Sequence, residues 1–267
     1  MMTTVSLIIT TYNRPEALAL VLDSALRQSR QPEEIIIADD GSSDDTLWLI
    51  EGYQYQATTP IVHAYQKDDG FRLARSRNNA IRMAKGDYLI VVDGDTILHP
   101  DFVADHLRLS APNVFCIGSR LLLSEQETQK VFANKKFHFS FKHTDAPDKI
   151  KALHFPWINY FFSLRKKPIE QLIYKIRGCN MAFWRQDVEA VNGFNQDIEG
   201  WGREDSEFAA RLFKKGLALR TIKFAAIQYH LWHPENNRAS LPENDQILAN
   251  TLQSSSIQCK NGLMQME

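Results

Sequence analysis

The feature that most constrains the fold is the alternation of short, largely apolar runs with amphipathic helical segments along the first hundred residues. Helical spacing of the apolar residues, flanked by prolines and capping residues, predicts the helices. The apolar runs are typical of strands buried on both faces, and they cover Val5 to Ile9, Glu34 to Ala38, Ile61 to Tyr65 and Tyr88 to Val92. Buried strands joined by helices predict an α/β fold with a mainly parallel sheet that helices flank on both sides.

Three loops are the first candidates for a site, because ligands of such sheets bind at the carboxyl ends of the strands. These loops are Thr10 to Arg14, Asp39 to Ser43 and Asp93 to Thr96. In the third loop, Gly94 separates two carboxylates and would let a ligand approach the backbone, which suits a hard cation. Asp-Gly is also a common turn, so a plain turn is the alternative.

The second loop and the helix after it offer groups for a nucleotide. Asp39 or Asp40 could accept hydrogen bonds from a base or a ribose, and the alternative is a turn with a helix cap. Arg72, Arg75 and Arg77 place guanidinium groups near a helix N-terminus, a combination that favours phosphate binding. A solvated charged face is the alternative for these arginines.

Two further groups of chemically active residues lie late in the chain. Glu204 and Asp205 begin a predicted helix directly after Trp201 to Arg203. A carboxylate at a helix N-terminus is stabilised as the anion and can act as a base, although simple capping is the alternative. His230 and His233 lie in a loop with Trp and Pro, where an imidazole could ligate a metal.

Charge is segregated along the chain. The 31 Lys+Arg and 32 Asp+Glu give a net charge of −1, which argues against a protein that wraps nucleic acid. Residues 130–177, however, hold eleven Lys/Arg, three Asp/Glu and ten of the 28 Phe, Tyr and Trp residues. This basic aromatic insertion could lie on an anionic lipid surface, or its aromatics could be the core of an acceptor-side subdomain.

The expected location is the cytoplasm, with peripheral contact at the inner face of the membrane through the insertion. The N-terminus lacks the pattern of a signal peptide, and no apolar stretch reaches the roughly 18 residues of a membrane span. Cys116, Cys179 and Cys259 are far apart and form no C-x-x-C pair, which predicts reduced thiols.

Taken together, the motifs resemble those of the family 2 glycosyltransferases, and the resemblance spans about Val5 to Pro234. The insertion and the C-terminal tail fall outside it. The Gly-Phe-Arg-Leu-Ala-Arg run and the Trp-Gly-x-Glu-Asp turn are similar to those of the chondroitin-polymerase and galactosyltransferase-like members. The motifs that carry the resemblance are Val5 to Arg14, Asp39 to Ser42, Gly70 to Arg72 with Arg75, Arg77 and Asn78, Gly86 to Tyr88, Asp93 to Asp95, Gly178 to Phe183 and Trp201 to Asp205.

The resemblance implies a GT-A fold and transfer of a sugar from a nucleotide-diphosphate donor with inversion at the anomeric carbon. It implies that Asp205 takes the proton from the acceptor hydroxyl and that Glu204 holds the acceptor. Asp95, with Asp93 and His230, would hold Mn²⁺ or Mg²⁺ against the diphosphate, and His233 is the second choice of imidazole. The residues implied to bind the nucleotide are Thr10, Tyr12, Arg14 and Asp39, with Asp40 as the alternative to Asp39, and Arg75 at the diphosphate. UDP is the commonest nucleotide in the family, and GDP and dTDP stay open.

The expected organisation is a nucleotide-sugar-binding half over residues 1–112, an acceptor-binding and catalytic half over 113–240, and a loose tail over 241–267. The expected role is synthesis of a bacterial surface polysaccharide or lipopolysaccharide on a glycan or lipid-linked acceptor. A non-catalytic carbohydrate-binding or scaffold protein on the same fold is one alternative. A sugar-nucleotide nucleotidyltransferase is less favoured, because the loop after the first strand lacks glycines to hold a triphosphate.

Overall fold

The computed structural model describes residues 3–135, 149–162, 164–165, 170–235 and 237–265. The sheet strands and helices of the first half are β1 (Val5–Thr11), α1 (Pro15–Ala25), β2 (Glu34–Asp39), α2 (Asp44–Gln56), β3 (Ile61–Tyr65), α3 (Leu73–Met83), β4 (Tyr88–Asp93), β5 (Thr96–Leu98) and α4 (Phe102–Leu109). Those of the second half are β6 (Val114–Ile117), β7 (Leu121–Leu122), α5 (Glu125–Asn134), α6 (Glu170–Ile173), β8 (Asn180–Trp184), α7 (Arg185–Ala190), α8 (Glu204–Lys214), β9 (Ala218–Thr221), β10 (Gln228–His230) and α9 (Leu241–Gln253). Two 3₁₀ turns, Lys149–Ala152 and Pro156–Phe161, lie between α5 and α6.

Seven strands form the main sheet in the order β3-β2-β1-β4-β8-β6-β9. Strands β3, β2, β1 and β4 are parallel, and β8 is antiparallel to both of its neighbours, β4 and β6. Because β6 is antiparallel to β8 and parallel to β9, both strands run in the same direction as β4. The prediction of a mainly parallel α/β sheet is confirmed.

Hydrophobic cores lie on both faces of this sheet, as continuous apolar strands require. Alternate residues of β1 point to opposite faces, so Leu7 packs with α1, α2 and α4, whereas Ile8 packs with α3 and α8. A second sheet, in the order β5-β10-β7, packs its own apolar residues against α1 and α5. These layers fix the carboxyl ends of β1 and β4 at one edge of the protein, directly beside the second sheet.

The C-terminal segment differs from the expected loose tail. Leu241–Gln253 is a helix that packs against α8, and Leu248 is completely buried. Beyond it, the side chain of Asn192 binds the backbone of Cys259 and Met264. The helix contains few apolar residues, and Leu248 and Leu252, at helical spacing, pack on the core.

The basic aromatic insertion is described in part, over 130–135, 149–162, 164–165 and 170–177, and its other residues lie outside the described part of the chain. Strand β8 follows the insertion and begins at Asn180. Within the described residues, no helix combines the length and the apolar character that crossing a bilayer requires.

Candidate active site

A cleft of about 610 Å³ opens at the edge of the main sheet where β1 and β4 end. The loops after these strands, the start of α8 and the segment after β10 supply its walls. Most of the residues predicted for the site line this cleft, although long stretches of chain separate them. They are Thr10, Tyr12, Arg14, Asp40, Asp93, Asp95, Glu204, Asp205, His230 and His233.

The turn that joins β4 to β5 carries the two aspartates. A Cβ atom at Gly94 would lie 2.3 Å from the carbonyl oxygen of Thr10, so the glycine is needed for packing against β1. This reason differs from the expected one, which was ligand access. Asp93 accepts hydrogen bonds from Thr10 Oγ1 at 3.2 Å and from Arg77 Nη2 at 3.4 Å. Asp95 points the other way, toward the second sheet.

Asp95, His230 and His233 form a cluster whose ligand atoms all lie within 4.8 Å of one another. Nε2 of His230 is 3.5 Å from Oδ1 of Asp95, and Nε2 of His233 is 3.3 Å from Oδ2. Strand β10 pairs with β5, which brings His230 opposite Thr96 and therefore next to the aspartate turn. The structure thus brings both histidines to Asp95 and does not choose between them.

The protonation states of this cluster suit a divalent cation. Burial lowers the pKa of His230, so its imidazole is neutral at pH 7. Nδ1 of His233 donates to the carbonyl oxygen of Pro234 at 2.6 Å, so Nε2 is the ring nitrogen directed at Asp95. Oδ1 of Asp95 is buried with no hydrogen-bond partner among the described residues. One carboxylate and two imidazoles are ligand types that Mn²⁺ accepts.

Arg14 also belongs to this part of the cleft. Its Nη1 donates to Oδ2 of Asp95 at 2.7 Å. The guanidinium therefore lies beside the candidate metal ligands, although the sequence placed Arg14 with the nucleoside. A cation bound by Asp95 would have to share or displace this contact.

The turn before α8 aims two carboxylates into the cleft. Gly202 has a φ of +102° and Arg203 a φ of +80°, so two successive residues adopt left-handed backbone. For Arg203 this conformation is strained, and such strain is concentrated at functional sites. Glu204 and Asp205 follow at once, in the first turn of α8, and both are largely buried.

Hydrogen bonds fix the orientation of Asp205. Its Oδ2 accepts from the backbone N–H of Gly178 at 2.7 Å, and its Oδ1 accepts from the backbone N–H of Ser206 at 2.6 Å. Only one oxygen of Glu204 has a hydrogen bond among the described residues. Oε1 accepts from Nη1 of Arg77 at 3.3 Å, and Oε2 has no partner there. Burial and the neighbouring negative charge raise the pKa of Glu204, and burial raises that of Asp205. Both carboxyls therefore bind a proton more readily than a surface carboxyl does.

Arg77 is the main site residue that the sequence did not single out for a role. It is 1% exposed, stacks on the ring of Phe194 at 5.2 Å and contacts both Asp93 and Glu204. In the sequence it is grouped with Arg72 and Arg75, which are partly exposed, and only the helical period of α3 turns Arg77 inward. Arg120 and Arg177 also line the cleft. Arg120 comes shortly after the buried strand β6, which is a signal that could have drawn attention to it.

The two aspartates at the end of β2 are used differently. Asp39 is 1% exposed and does not line the cleft. Its carboxylate binds Nε2 of His63 at 2.8 Å and accepts a hydrogen bond from the backbone N–H of Ser42 at 2.9 Å. Asp40 does line it, binds the backbone N–H of Arg72 at 2.8 Å and has its pKa raised to about 6 by burial. Arg75 also lies outside the cleft lining, directed at Asp69 and the backbone of Lys67.

Two family models match the chain. The one described as glycosyl transferase family 2 covers residues 6–189, and the one described as the N-terminal domain of galactosyltransferase covers residues 161–234. The chain is similar to a chondroitin synthase of Escherichia coli, with 27% identity over an alignment of 267 positions that covers 88% of this chain and 36% of the relative. It is also similar to a hyaluronan synthase of Pasteurella multocida, with 27% identity over 84% of this chain and 24% of the relative. The chain thus spans only about a quarter to a third of the length of these relatives.

Solved structures share the fold at low sequence identity. A mannosyltransferase from Pyrobaculum calidifontis, in complex with GDP-Man and Mn²⁺, superposes with a TM-score of 0.63 and 18% identity, over 95% of this chain and 65% of that one. TarS 1–349 of S. aureus, in complex with UDP-GlcNAc, gives a TM-score of 0.60 and 16% identity, over 93% of this chain and 66% of that one. These likenesses agree with the GT-A type of α/β fold implied by the motifs.

Proposed function

Because the chain belongs to glycosyl transferase family 2, we propose that it transfers a sugar from a nucleotide-diphosphate donor to a hydroxyl group of a glycan or lipid-linked acceptor. Surface polysaccharide or lipopolysaccharide synthesis in a bacterium is the proposed setting. The observation that carries the proposal is the arrangement of one cleft: a cluster suited to a cation at Asp95 and a pair of carboxylates at Glu204 and Asp205, with buried Arg77 between them.

The proposed reaction is a single displacement with inversion. The acceptor oxygen forms a bond to the anomeric carbon as the bond from that carbon to the diphosphate oxygen breaks. We assign Asp205 as the group that accepts the hydroxyl proton, because two backbone N–H groups hold its carboxylate in one orientation. A raised pKa supports this role, since it gives the carboxylate a greater affinity for the proton. Glu204, whose Oε2 is unpaired among the described residues, is proposed to hold the acceptor.

Mn²⁺ or Mg²⁺ is the proposed cofactor, and Asp95, His230 and His233 are the residues that would hold it. The fit rests on Oδ1 of Asp95, which is buried without a hydrogen bond among the described residues, and on the imidazoles of His230 and His233 that face this carboxylate. When bound, such an ion offsets the negative charge that develops on the leaving diphosphate. Asp93, directed at Thr10 and Arg77, is proposed to position Arg77 beside the diphosphate and remains a candidate ligand.

UDP is the proposed nucleotide, and Thr10, Tyr12 and Asp40 are the proposed nucleoside contacts. Solved relatives of the fold bind UDP-GlcNAc in one case and GDP-Man in another, so a direct test is needed. Asp39 would act on the nucleoside indirectly, by ordering the loop that carries Asp40. Arg75 would reach the diphosphate only after leaving its contact with Asp69.

The test is a thermal-shift panel with UDP, GDP, dTDP and CMP, each with and without Mn²⁺, followed by release of the nucleotide from the matching sugar donor. A ligand at 100 times its Kd stabilises the folded state by about 2.7 kcal/mol, which a shift of the melting temperature reports. We expect one diphosphate to stabilise the protein only with metal and its sugar donor to be turned over. Stabilisation by none of them would refute the proposed donor site, and binding without any turnover would favour a non-catalytic carbohydrate-binding protein.

A further inference from the structure

The 3₁₀ turn Pro156–Phe161 reverses the usual pattern of burial. Its buried residues are Pro156 and the polar Asn159, which is 2% exposed. Its aromatic side chains face solvent, with exposed fractions of 66% for Trp157, 55% for Tyr160 and 86% for Phe161. Aromatic side chains are ordinarily buried and asparagine is ordinarily exposed, whereas here the rings are exposed and the asparagine is buried.

Polar contacts hold the turn in this orientation. Nδ2 of Asn159 donates to the carbonyl oxygens of Lys223 at 2.7 Å and Pro156 at 3.0 Å, and its Oδ1 accepts from the N–H of Lys223 at 2.8 Å. The N–H of Phe155 donates to the carbonyl oxygen of Phe224 at 2.8 Å. The turn is therefore anchored through one asparagine and the backbone, so the exposed rings are not required for its attachment.

The exposed rings lie close together in the sequence, within residues 155–162. We name as the aromatic surface the five exposed rings of Phe155, Trp157, Tyr160, Phe161 and Phe162. Soluble proteins seldom leave so many large rings exposed together unless a partner or a membrane covers them.

The surroundings of the aromatic surface are basic. Between residues 149 and 167 the sequence contains five Lys or Arg and no Asp or Glu. Arg108 of α4 lies over the ring of Trp157 at 5.3 Å, and Lys223 lies over the ring of Phe162 at 4.9 Å. Rings that enter the interfacial region and cations that meet acidic headgroups are the two components of peripheral membrane binding.

The topology puts this surface at the same edge of the sheet as the cleft. Strand β9 runs in the same direction as β4, and Lys223 and Phe224, which anchor the turn, directly follow the carboxyl end of β9. The cleft opens at the carboxyl end of β4. The anchor of the turn therefore lies at the same edge of the sheet as the cleft.

We infer that the aromatic surface docks the protein on a bilayer that contains anionic lipids, with Trp157 and Phe161 inserted at the interface and Arg108 and Lys223 at the headgroups. Charge complementarity favours this partner over a protein, because the segment from residue 149 to 167 contains five Lys or Arg and no Asp or Glu. Of the two cations that lie over the rings, Arg108 shares its charge with Asp105 at 3.3 Å. The inference concerns binding alone, so it stands or falls independently of the proposed glycosyl transfer.

The experiment is co-sedimentation of the full chain with vesicles of phosphatidylcholine alone or of phosphatidylcholine with 30% phosphatidylglycerol, without nucleotide or metal. We expect binding to the anionic vesicles that weakens with added salt, and little binding to the neutral ones. The double variant Trp157→Ser/Phe161→Ser should bind at least about tenfold more weakly, because two interfacial rings are lost. Arg108→Gln/Lys223→Gln should reduce chiefly the salt-sensitive part of the binding.

Trp48→Ser is the matched control. Trp48 is 63% exposed like Trp157, but it lies on α2 with Asp44, Asp45 and Glu51, so its loss should leave vesicle binding unchanged. Equal melting temperatures of all variants would show that none of the losses comes from unfolding. The inference is overturned if the wild-type chain ignores anionic vesicles, if it binds neutral ones equally, or if the double variant binds like the wild type. Self-association that needs Trp157, in the absence of vesicle binding, would assign the surface to a protein contact instead.

Discussion

Nη1 of Arg77 lies 3.3 Å from Oε1 of Glu204, although 127 residues separate them in the chain. The other arm of the same guanidinium, Nη2, lies 3.4 Å from Oδ1 of Asp93. The buried guanidinium of Arg77 thus connects Asp93, the last residue of β4, with Glu204, the first residue of α8. Gly178 permits this position, because a Cβ atom there would lie 2.8 Å from both terminal nitrogens of Arg77.

Replacing Arg77 with methionine should destabilise the protein by about 1 to 3 kcal/mol, because Asp93 and Glu204 would lose a buried hydrogen-bond donor. Glu204, whose pKa burial already raises, would take up a proton rather than stay charged without a counter-ion. Urea denaturation at pH 7 measures this loss. Arg75→Met on the same helix is the matched control. Its side chain is 34% exposed and meets Asp69 at 3.4 Å, so the change should stay within about 0.5 kcal/mol. Equal losses for both variants would contradict a special role for the buried guanidinium.

Asp205→Asn should lower the turnover number by about 10² to 10⁴-fold, because the amide cannot accept the acceptor's proton. Donor binding should persist, since the cluster at Asp95 is untouched, and a nucleotide thermal shift reports it. Glu204→Gln is the comparison, and it should act mainly through the KM of the acceptor. If Glu204→Gln loses turnover while Asp205→Asn retains it, the roles of the two carboxylates are exchanged.

The double variant His230→Ala/His233→Ala should lose the stabilisation that Mn²⁺ adds to the nucleotide complex, because two of the three candidate ligands are removed. The melting temperature with nucleotide, measured with Mn²⁺ and with a chelator, gives the answer. His99→Ala is the control. His99 belongs to a second histidine and aspartate group with Asp101 and His154, which lies outside the cleft lining. A metal effect that survives the double variant and disappears in His99→Ala would move the metal site to that group.

His106 should make the folded state less stable between about pH 6.5 and pH 4. Complete burial lowers its pKa to about 4, so below pH 6.5 the unfolded chain binds a proton that the folded chain refuses. Its Nε2 faces Oδ1 of Asn180 at 2.9 Å, and its Nδ1 has no acceptor among the described residues. The free energy of unfolding is therefore highest above pH 6.5 and decreases as the pH is lowered from 6.5 to 4. His106 alone accounts for a decrease of about 3 kcal/mol.

The variant His106→Gln keeps a hydrogen-bond donor for Asn180 but has no group that titrates. Between pH 7 and pH 4, the free energy of unfolding of the wild type should therefore fall by about 3 kcal/mol more than that of the variant. Chemical denaturation across that range measures the difference between the two proteins. Parallel pH profiles would show that His106 is protonated as readily in the folded chain as in the unfolded one.

Much of the fold followed from local pattern. The apolar runs at β1, β2 and β4 can be buried only in a sheet covered on both faces, so the α/β class was determined by the sequence. The carboxylates at Asp93, Asp95, Glu204 and Asp205 could be recognised because each follows a strand or begins a helix. Their roles remain predictions, and the geometry now makes those roles testable.

Other features could not be predicted from the order of residues. Arg75 and Arg77 look alike in sequence, yet one is a surface cation and the other is completely buried, because the helical period turns them to different sides of α3. Asp39 and Asp40 also look alike in sequence, but Asp39 ends β2 and is bound by His63, whereas Asp40 begins the following loop and lines the cleft. The C-terminal helix α9 was missed because its few apolar residues acquire meaning only when α8 is present to cover them.

The sequence by itself determined which segments are buried and which loops carry polar groups, since hydrophobic period and turn chemistry act over a few residues. Only the tertiary structure decided that Arg77 joins Asp93 to Glu204, that two histidines reach Asp95, and that the rings near Trp157 face outward. These are contacts between segments far apart in the chain. Their formation depends on how strands pair and helices pack, and no local pattern contains that information.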